Sequence, residues 1–392
     1  MPATASALLP EALAAATTTT LQSTSDPSLL FFNTTYTVPC AASLVGVMYD
    51  NGTPKCPEGD VYNILGYRPA TVLDHPVYMW TSGGYPCVPF QGIEADMPEM
   101  AMLREAASRG FLAAVVETPQ VPAQGMSCDF GSNEALPAFA EKVYRWRGVG
   151  DTTSTSPLAV LCRLPGADCD QGIAIHGHSL GGLVASLAPR YAVGVTALLL
   201  WGAGSRLPYG DLSCCGIFSG GRSCCSRDQP IGGSRLSCLT HRATAPFLDK
   251  RRRRLIIATG DHEYGDCYTR ESGGTVSCNT TLRGSNPAGS LFLGRQDSGY
   301  DCGDERSCIQ ADGSGYYMPD LLETGDDDIG IFNKHNFHNV GLGETKCDEQ
   351  DCRLTNDSYA LNPRWIEAST PWGMRPALDW LAATARRKTL DP

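Results

Sequence analysis

Apolar residues in this chain fall into short unbroken runs separated by helical stripes. Val77-Tyr-Met-Trp80, Phe111-Leu-Ala-Ala-Val-Val116, Ile173-Ala-Ile-His176 and Ala197-Leu-Leu-Leu-Trp201 are four such runs. Leu255-Ile-Ile-Ala-Thr259 and Ile329-Gly-Ile-Phe332 are two more, and residues 36–50 and 61–66 supply earlier strands. Runs of this length without polar alternation are expected of strands covered on both faces. Between them the period changes to that of a helix. Asp96 to Arg109 carries Met100, Leu103 and Ala107 on one face, with Asp96 placed to cap, Pro98 in the first turn and Gly110 to stop it. Ala135 to Arg147 repeats the pattern with Leu136, Phe139, Val143 and Trp146, followed by Gly148. A last helix runs from Pro376 to Arg387 with Leu378, Leu381, Ala382 and Ala385 on one face. Alternating strands and helices predict an α/β fold, a doubly wound, mostly parallel sheet with helices on both sides.

Three stretches depart from that alternation. Met1 to Leu30 is rich in Ala, Thr and Ser and is expected to be disordered or processed. Residues 205–253 and 264–325 are Gly-, Cys- and polar-rich insertions, too long for ordinary connections. Each is either a lid or a decoration stapled by disulfides. The organisation expected is one domain over 31–392 carrying both insertions after its later strands.

Candidate chemistry concentrates in Gly172-Ile-Ala-Ile-His-Gly-His-Ser-Leu-Gly-Gly182. A strand here must turn at once into the helix that begins near Leu180. Ser179 sits at the turn in a G-x-S-x-G pattern, flanked by Gly177 and Gly181. A serine raised on so tight a turn leaves no room for side chains two residues either side. Its hydroxyl is then exposed at the sheet's end, which is the placement a nucleophile needs.

These residues resemble the α/β-hydrolase superfamily of serine esterases and lipases over Pro76 to Gly204, and again at 254–263 and 329–338. Gly83-Gly-Tyr85, Ser108-Arg-Gly-Phe111 and Gly177-His-Ser-Leu-Gly181 are similar to the branch of cutinase-like polyester hydrolases, chlorophyllases and platelet-activating-factor acetylhydrolases. That branch lacks cysteine-laden insertions of this size. The resemblance implies a catalytic triad whose acid and base follow the serine in chain order. The acid is then expected in Gly260-Asp-His-Glu-Tyr-Gly-Asp266. Glu263 matches the spacing of relatives, while Asp261 and Asp266 remain alternatives. The base is expected in Asn333-Lys-His-Asn-Phe-His338, as His335 or, alternatively, His338. His176 and His178, beside the nucleophile, are read as packing or tuning residues. The oxyanion hole takes the Leu180 N–H and one from the turn after Trp80, at Tyr85 or otherwise Gly84.

Such a site needs no cofactor and takes an ester: a small molecule, a lipid or a polyester. The same triad also suits a thioester or peptide, and a non-catalytic binding or adhesion protein on the same fold is the alternative of a different class. The net charge of −11 over 392 residues argues against nucleic acid and anionic membranes as partners. No apolar run approaches the ~18 residues of a membrane span. Seventeen cysteines point instead to an oxidising, extracellular compartment, as do the sequons at Asn33, Asn51, Asn279 and Asn356. No clear signal peptide accompanies them. A zinc site built from Cys214-Cys215, Cys224-Cys225, Cys238 and His241 lacks the usual C-x-x-C knuckle, and Asp326 to Asp328 lacks calcium-loop spacing, so no metal is expected. Lys250-Arg-Arg-Arg-Arg254 reads as a solvated edge before the strand at 255–259, with a processing site or anion patch as the rival.

Overall fold

The computed structural model describes residues 20–23, 26–38, 60–81, 98–117, 136–201, 237–239, 241–256, 268–270, 276–278, 300, 308–317, 346–348, 351–353 and 373–386. Its centre is a ten-stranded sheet. In chain order the first strands are β1 (Thr20–Ser23), β2 (Leu29–Val38), β3 (Asp60–Pro69), β4 (Val77–Thr81) and β5 (Leu112–Val116), with helix α1 (Pro98–Ser108) between the last two. Helices α2 (Leu136–Tyr144) and α3 (Pro157–Cys162) lead to β6 (Ile173–His178), which passes directly into α4 (Ser179–Ser186). Then follow α5 (Ala188–Tyr191), β7 (Val195–Trp201), α6 (His241–Thr244) and β8 (Arg253–Ile256). Two short hairpin strands, β9 (Tyr268–Arg270) and β10 (Val276–Cys278), precede β11 (Cys308–Ile309) and β12 (Gly315–Tyr317). A second hairpin, β13 (Lys346–Asp348) with β14 (Asp351–Arg353), and helix α7 (Met374–Ala385) complete the described elements.

Across the sheet the order is β1-β2-β3-β5-β4-β6-β7-β8-β12-β11. Strands β5, β4, β6, β7, β8 and β12 run parallel, while β1, β2 and β3 pair antiparallel on one side and β11 on the other. The exchange of β5 and β4 in that order makes the sheet doubly wound. This is the strand order of the α/β-hydrolase fold.

Both faces of the parallel strands are buried, which is why their sequences do not alternate. Val77 and Met79 point into one core with α2, α3, α4 and α5; Tyr78 and Trp80 point into the other with α1 and α7. All of β4, β5 and β6 is buried. Helix α1 ends where expected, because Gly110 takes a φ of 85° that a side chain would resist, and its N–H bonds back to the Ala107 carbonyl. Helix α3 went unread in the sequence; Ser156 caps it by accepting from the Ala159 N–H, and Pro157 opens it.

Three sequence expectations change. Thr20–Ser23, inside the stretch expected to be disordered, forms the edge strand β1 on β2. Strand β12, which the sequence reading did not anticipate, pairs in register with β8 from Arg254 to Ile256, and the strand expected at Ile329–Phe332 lies outside the described residues. Tyr316 anchors it, fully buried. Residues 308–317, within the second insertion, are therefore part of the main sheet, and 318–345 lie outside the described residues. The basic tract is a solvated edge only in part: Arg251 is exposed, but the three arginines after it are not. Arg252, Arg253 and Arg254 are 8%, 4% and 3% exposed, and β8 starts at Arg253 rather than Leu255. Partners remote in sequence hold the charged ends of two of them. Arg254 lies over the Trp380 ring at 4.7 Å and donates to the Gly313 carbonyl, while Arg253 lies against Tyr300. Burial lowers the Arg254 pKa to about 10, against the opposing pull of Asp312.

Candidate active site

Ser179 is the first residue of α4, directly after a fully buried strand. His178 keeps extended backbone angles (φ −116°, ψ 140°) at the cap position and gives no side-chain cap. The early N–H groups of α4, Leu180's among them, have no partner within the helix and are oriented to receive an anion. The sharpness of the turn rests on Gly177. A Cβ there would lie 2.5 Å from the Gly181 carbonyl oxygen and 2.7 Å from the Ala185 Cβ. Helix α4 thus lies directly on β6, and glycine is what the close approach requires.

Neighbouring parallel strands end at the same edge. Thr81, the last residue of β4, pairs in register with Gly177; Trp201 of β7 pairs with His178; Ile256 of β8 pairs with Trp201; Tyr317 of β12 pairs with Ile256. The chain leaves Thr81 toward Tyr85, Ile256 toward Asp261, Glu263 and Asp266, and Tyr317 toward His335 and His338. All these departures lie at the carboxyl ends of parallel strands, where sites in open α/β sheets form. Gly84, Tyr85, the three acids, His335 and His338 themselves lie outside the described residues. Of the proposed set, Ser179 and Leu180 are placed, by their backbone.

Three of the chain's seven histidines, His75, His176 and His178, are buried. His75 sits at the amino end of β4, bridged to Ala167 and hydrogen-bonded to the Thr71 hydroxyl at 2.8 Å. Burial pushes its pKa down. His176 is fully buried on β6, its Nδ1 2.6 Å from the Tyr78 hydroxyl, its ring edge-to-face with Trp80 and Trp201. It is thus packed among aromatic rings. Burial raises the Tyr78 pKa well above its ordinary value, so that phenol stays neutral. His178 is buried at the end of β6. Among the histidines after β12 in the chain are His335 and His338.

Two residues at this edge were not singled out in the sequence. The Thr81 hydroxyl and the Tyr144 hydroxyl of α2 lie 2.5 Å apart, and both side chains are buried. Tyr144 falls next to the apolar stripe of its helix, and nothing in the spacing distinguishes it from another core aromatic.

No group of three or more metal-ligating side chains gathers among the described residues. Cys238 is disulfide-bonded, which removes it from the zinc set considered above. Cys214, Cys215, Cys224 and Cys225 lie outside the described residues. Cys162 and Cys169 form a disulfide across the connection from α3 to β6. Among the described residues, no helix is long and apolar enough to cross a membrane.

No protein-family model matches the chain, and no curated protein matches it. Solved structures do. A CE15 glucuronoyl esterase from Teredinibacter turnerae is similar at 20% identity and a TM-score of 0.31, over 48% of this chain and 46% of that one. An acetyl xylan esterase from Paenibacillus sp. R4 is similar at 16% identity and a TM-score of 0.28, over 47% and 52%. A hyperthermophilic esterase from Pyrobaculum calidifontis is similar at 16% identity and a TM-score of 0.29, over 51% and 62%. The chain spans about half the length of the first two of these.

Proposed function

We propose that the protein is a serine hydrolase that cleaves carboxylic esters through an acyl-enzyme on Ser179. The observation that carries this reading is the packing of Gly177 against Gly181 and Ala185, which sets Ser179 on a tight strand-to-helix turn at the sheet's carboxyl edge. A buried strand that ends in a merely structural Gly-Ser turn has no need of so close an approach.

In the proposed reaction His335 takes the Ser179 proton as the oxygen attacks the ester carbonyl. The oxyanion is held by the Leu180 and Tyr85 N–H groups. As the tetrahedral intermediate collapses, His335 returns the proton to the departing alcohol. Water then loses a proton to His335 and attacks the acyl-enzyme, and the acid leaves as His335 returns that proton to the Ser179 oxygen. The carboxylate of Glu263, or of Asp261 in its place, orients the imidazole and stabilises its charged form; His338 is the alternative base. No step calls for a cofactor. The motifs similar to cutinase-like polyester hydrolases, chlorophyllases and platelet-activating-factor acetylhydrolases give the substrate range to try first: short-chain, lipid and polymeric esters. The Cys162–Cys169 disulfide supports an oxidising, extracellular setting.

The test is a fluorophosphonate probe on the wild type and on Ser179→Ala, alongside p-nitrophenyl esters of short and long acyl chain. Labelling and turnover are expected in the wild type and absent in the variant. A folded wild type that neither labels nor hydrolyses refutes the reading and favours a binding protein on this fold.

A further inference from the structure

Thr81 precedes in the chain the segment proposed to donate to the oxyanion, and its backbone pairs with Gly177 in the nucleophile strand. The Thr81 side chain points away from solvent, 1% exposed, and its hydroxyl meets the hydroxyl of the fully buried Tyr144 at 2.5 Å. Surrounding them is an apolar core that includes Met79, Ala140, Val143 and Val184. Valine and phenylalanine would fill the same space without polar atoms. Two hydroxyls placed there must satisfy each other or bear a desolvation cost. What the pair adds over apolar packing is direction: it fixes the rotation of the Thr81 side chain at the last residue of β4. Helix α2, which carries Tyr144, also packs on α4, the helix that starts at Ser179. One helix thus touches both the helix that starts at Ser179 and the last residue of β4.

We propose that Tyr144 is a positioning residue for the oxyanion turn, holding it in register with the nucleophile through Thr81. The assignment rests on the ester-hydrolase reading above. Tyr144 touches no reacting atom; it acts on the aim of the donor that follows Thr81. Burial raises the phenol's pKa, so the hydroxyl persists across the working range. Deleting an oxyanion donor outright costs ~10²–10³ in kcat, and letting one drift costs a fraction of that. Because the oxyanion exists in the transition state and not in the bound ester, the loss belongs in kcat and not in KM.

The variants are Tyr144→Phe, Thr81→Val, the double variant and Thr81→Ser, assayed with p-nitrophenyl acetate. Tyr144→Phe and Thr81→Val are each expected to lower kcat roughly 10-fold with KM held within about twofold. The double variant is expected to be no worse than either single one, since both remove one shared bond. Thr81→Ser keeps the hydroxyl and is expected to recover most of the activity. Affinity for a trifluoromethyl ketone, which binds as an oxyanion, should fall in step with kcat. Unchanged kcat in Tyr144→Phe, or a loss seen in thermal stability alone, overturns the assignment. If Tyr144→Phe fails to fold, the Thr81 variants decide, and Thr81→Val with wild-type kcat overturns it equally. The two readings fail in different ways. An inert wild type, with neither labelling nor turnover, removes the ester hydrolase and this role together. An active wild type with an indifferent Tyr144→Phe removes this role alone.

Discussion

Replacing Gly177 with alanine tests the packing on which the nucleophile's placement depends. The added Cβ would meet the Gly181 carbonyl oxygen at 2.5 Å, the Ala185 Cβ at 2.7 Å and the Gly181 carbonyl carbon at 2.8 Å. Comfortable contacts begin near 3.5 Å, so α4 must retreat from β6 by about 1 Å or the strand must bend. Overpacking of this kind typically destabilises by about 1–3 kcal/mol. The upper half of that range applies here, because two of the three contacts are backbone and no rotamer relieves them. A displacement of about 1 Å at the base of the reacting serine also lowers kcat/KM by roughly 100-fold. Urea denaturation followed by tryptophan fluorescence reads the first effect, and p-nitrophenyl ester turnover reads the second. Adding Ala185→Gly removes one of the two obstructing groups and leaves the Gly181 carbonyl in place, so it should recover less than half of the lost stability. Gly150→Ala is the control: Gly150 has a φ of 96° and open space around its missing Cβ. Backbone strain alone costs about 1–2 kcal/mol there, with turnover unchanged. A Gly177→Ala protein with wild-type urea midpoint and kcat/KM would refute the description of the elbow.

Two further outcomes follow from other parts of the molecule. Glu105 of α1 accepts from Arg109 at 2.8 Å and from Arg375 of α7 at 3.1 Å; burial pushes its carboxyl up, but these guanidinium bonds outweigh burial and hold its pKa below the ordinary value. A depressed carboxylate stabilises the fold above its unfolded pKa and loses that contribution as pH falls through the folded one. Glu105→Gln is therefore expected to lower stability at pH 7 by no more than about 1 kcal/mol. The gap from wild type should close on acidification below the usual carboxylate range; a gap that is constant with pH contradicts the ion-pair account. Replacing Cys162 and Cys169 with alanine opens a short loop, and the chain-entropy estimate for it is about 2–3 kcal/mol. Urea midpoints under oxidising and reducing conditions check this, and an equal midpoint in wild type and variant under oxidising conditions contradicts it.

What the sequence made legible is the part of the fold whose physics is local. The strands at Val77, Leu112, Ile173 and Val195 and the helices at Pro98, Leu136 and Met374 fall within a few residues of expectation. Their signal is burial on both faces or on one stripe, and it is written into neighbouring residues. The elbow was legible for the same reason, since Gly177 and Ser179 stand two residues apart. Strand β12 was not. Gly315-Tyr-Tyr317 is short and set among polar residues, and its place is fixed by pairing with β8, far away in the chain. Buried arginines misled in the opposite sense. Arg252 to Arg254 look like solvent-facing charge until Trp380, Tyr300 and Gly313, all remote in sequence, are brought against them. Tyr144 and Thr81 lie far apart in the chain, and their pairing likewise awaits the fold.

The position of β12 bears on how the chain reaches its native state. Its partner β8 is already adjacent to β7, yet residues 257–314 must be spanned before the sheet gains its last parallel strand. Loop-closure entropy rises by only ~0.6 kcal/mol per doubling, so this closure costs roughly 2 kcal/mol more than an ordinary short connection. The thermodynamic penalty is modest; the kinetic one is larger, because pairings of long sequence separation form late. Until β12 docks, the edge of β8 offers unpaired backbone groups to any other strand. Cys267, Cys278 and Cys302 lie inside that span. A cross-link among them would shorten the effective loop and would couple the order of oxidation to the order of sheet completion.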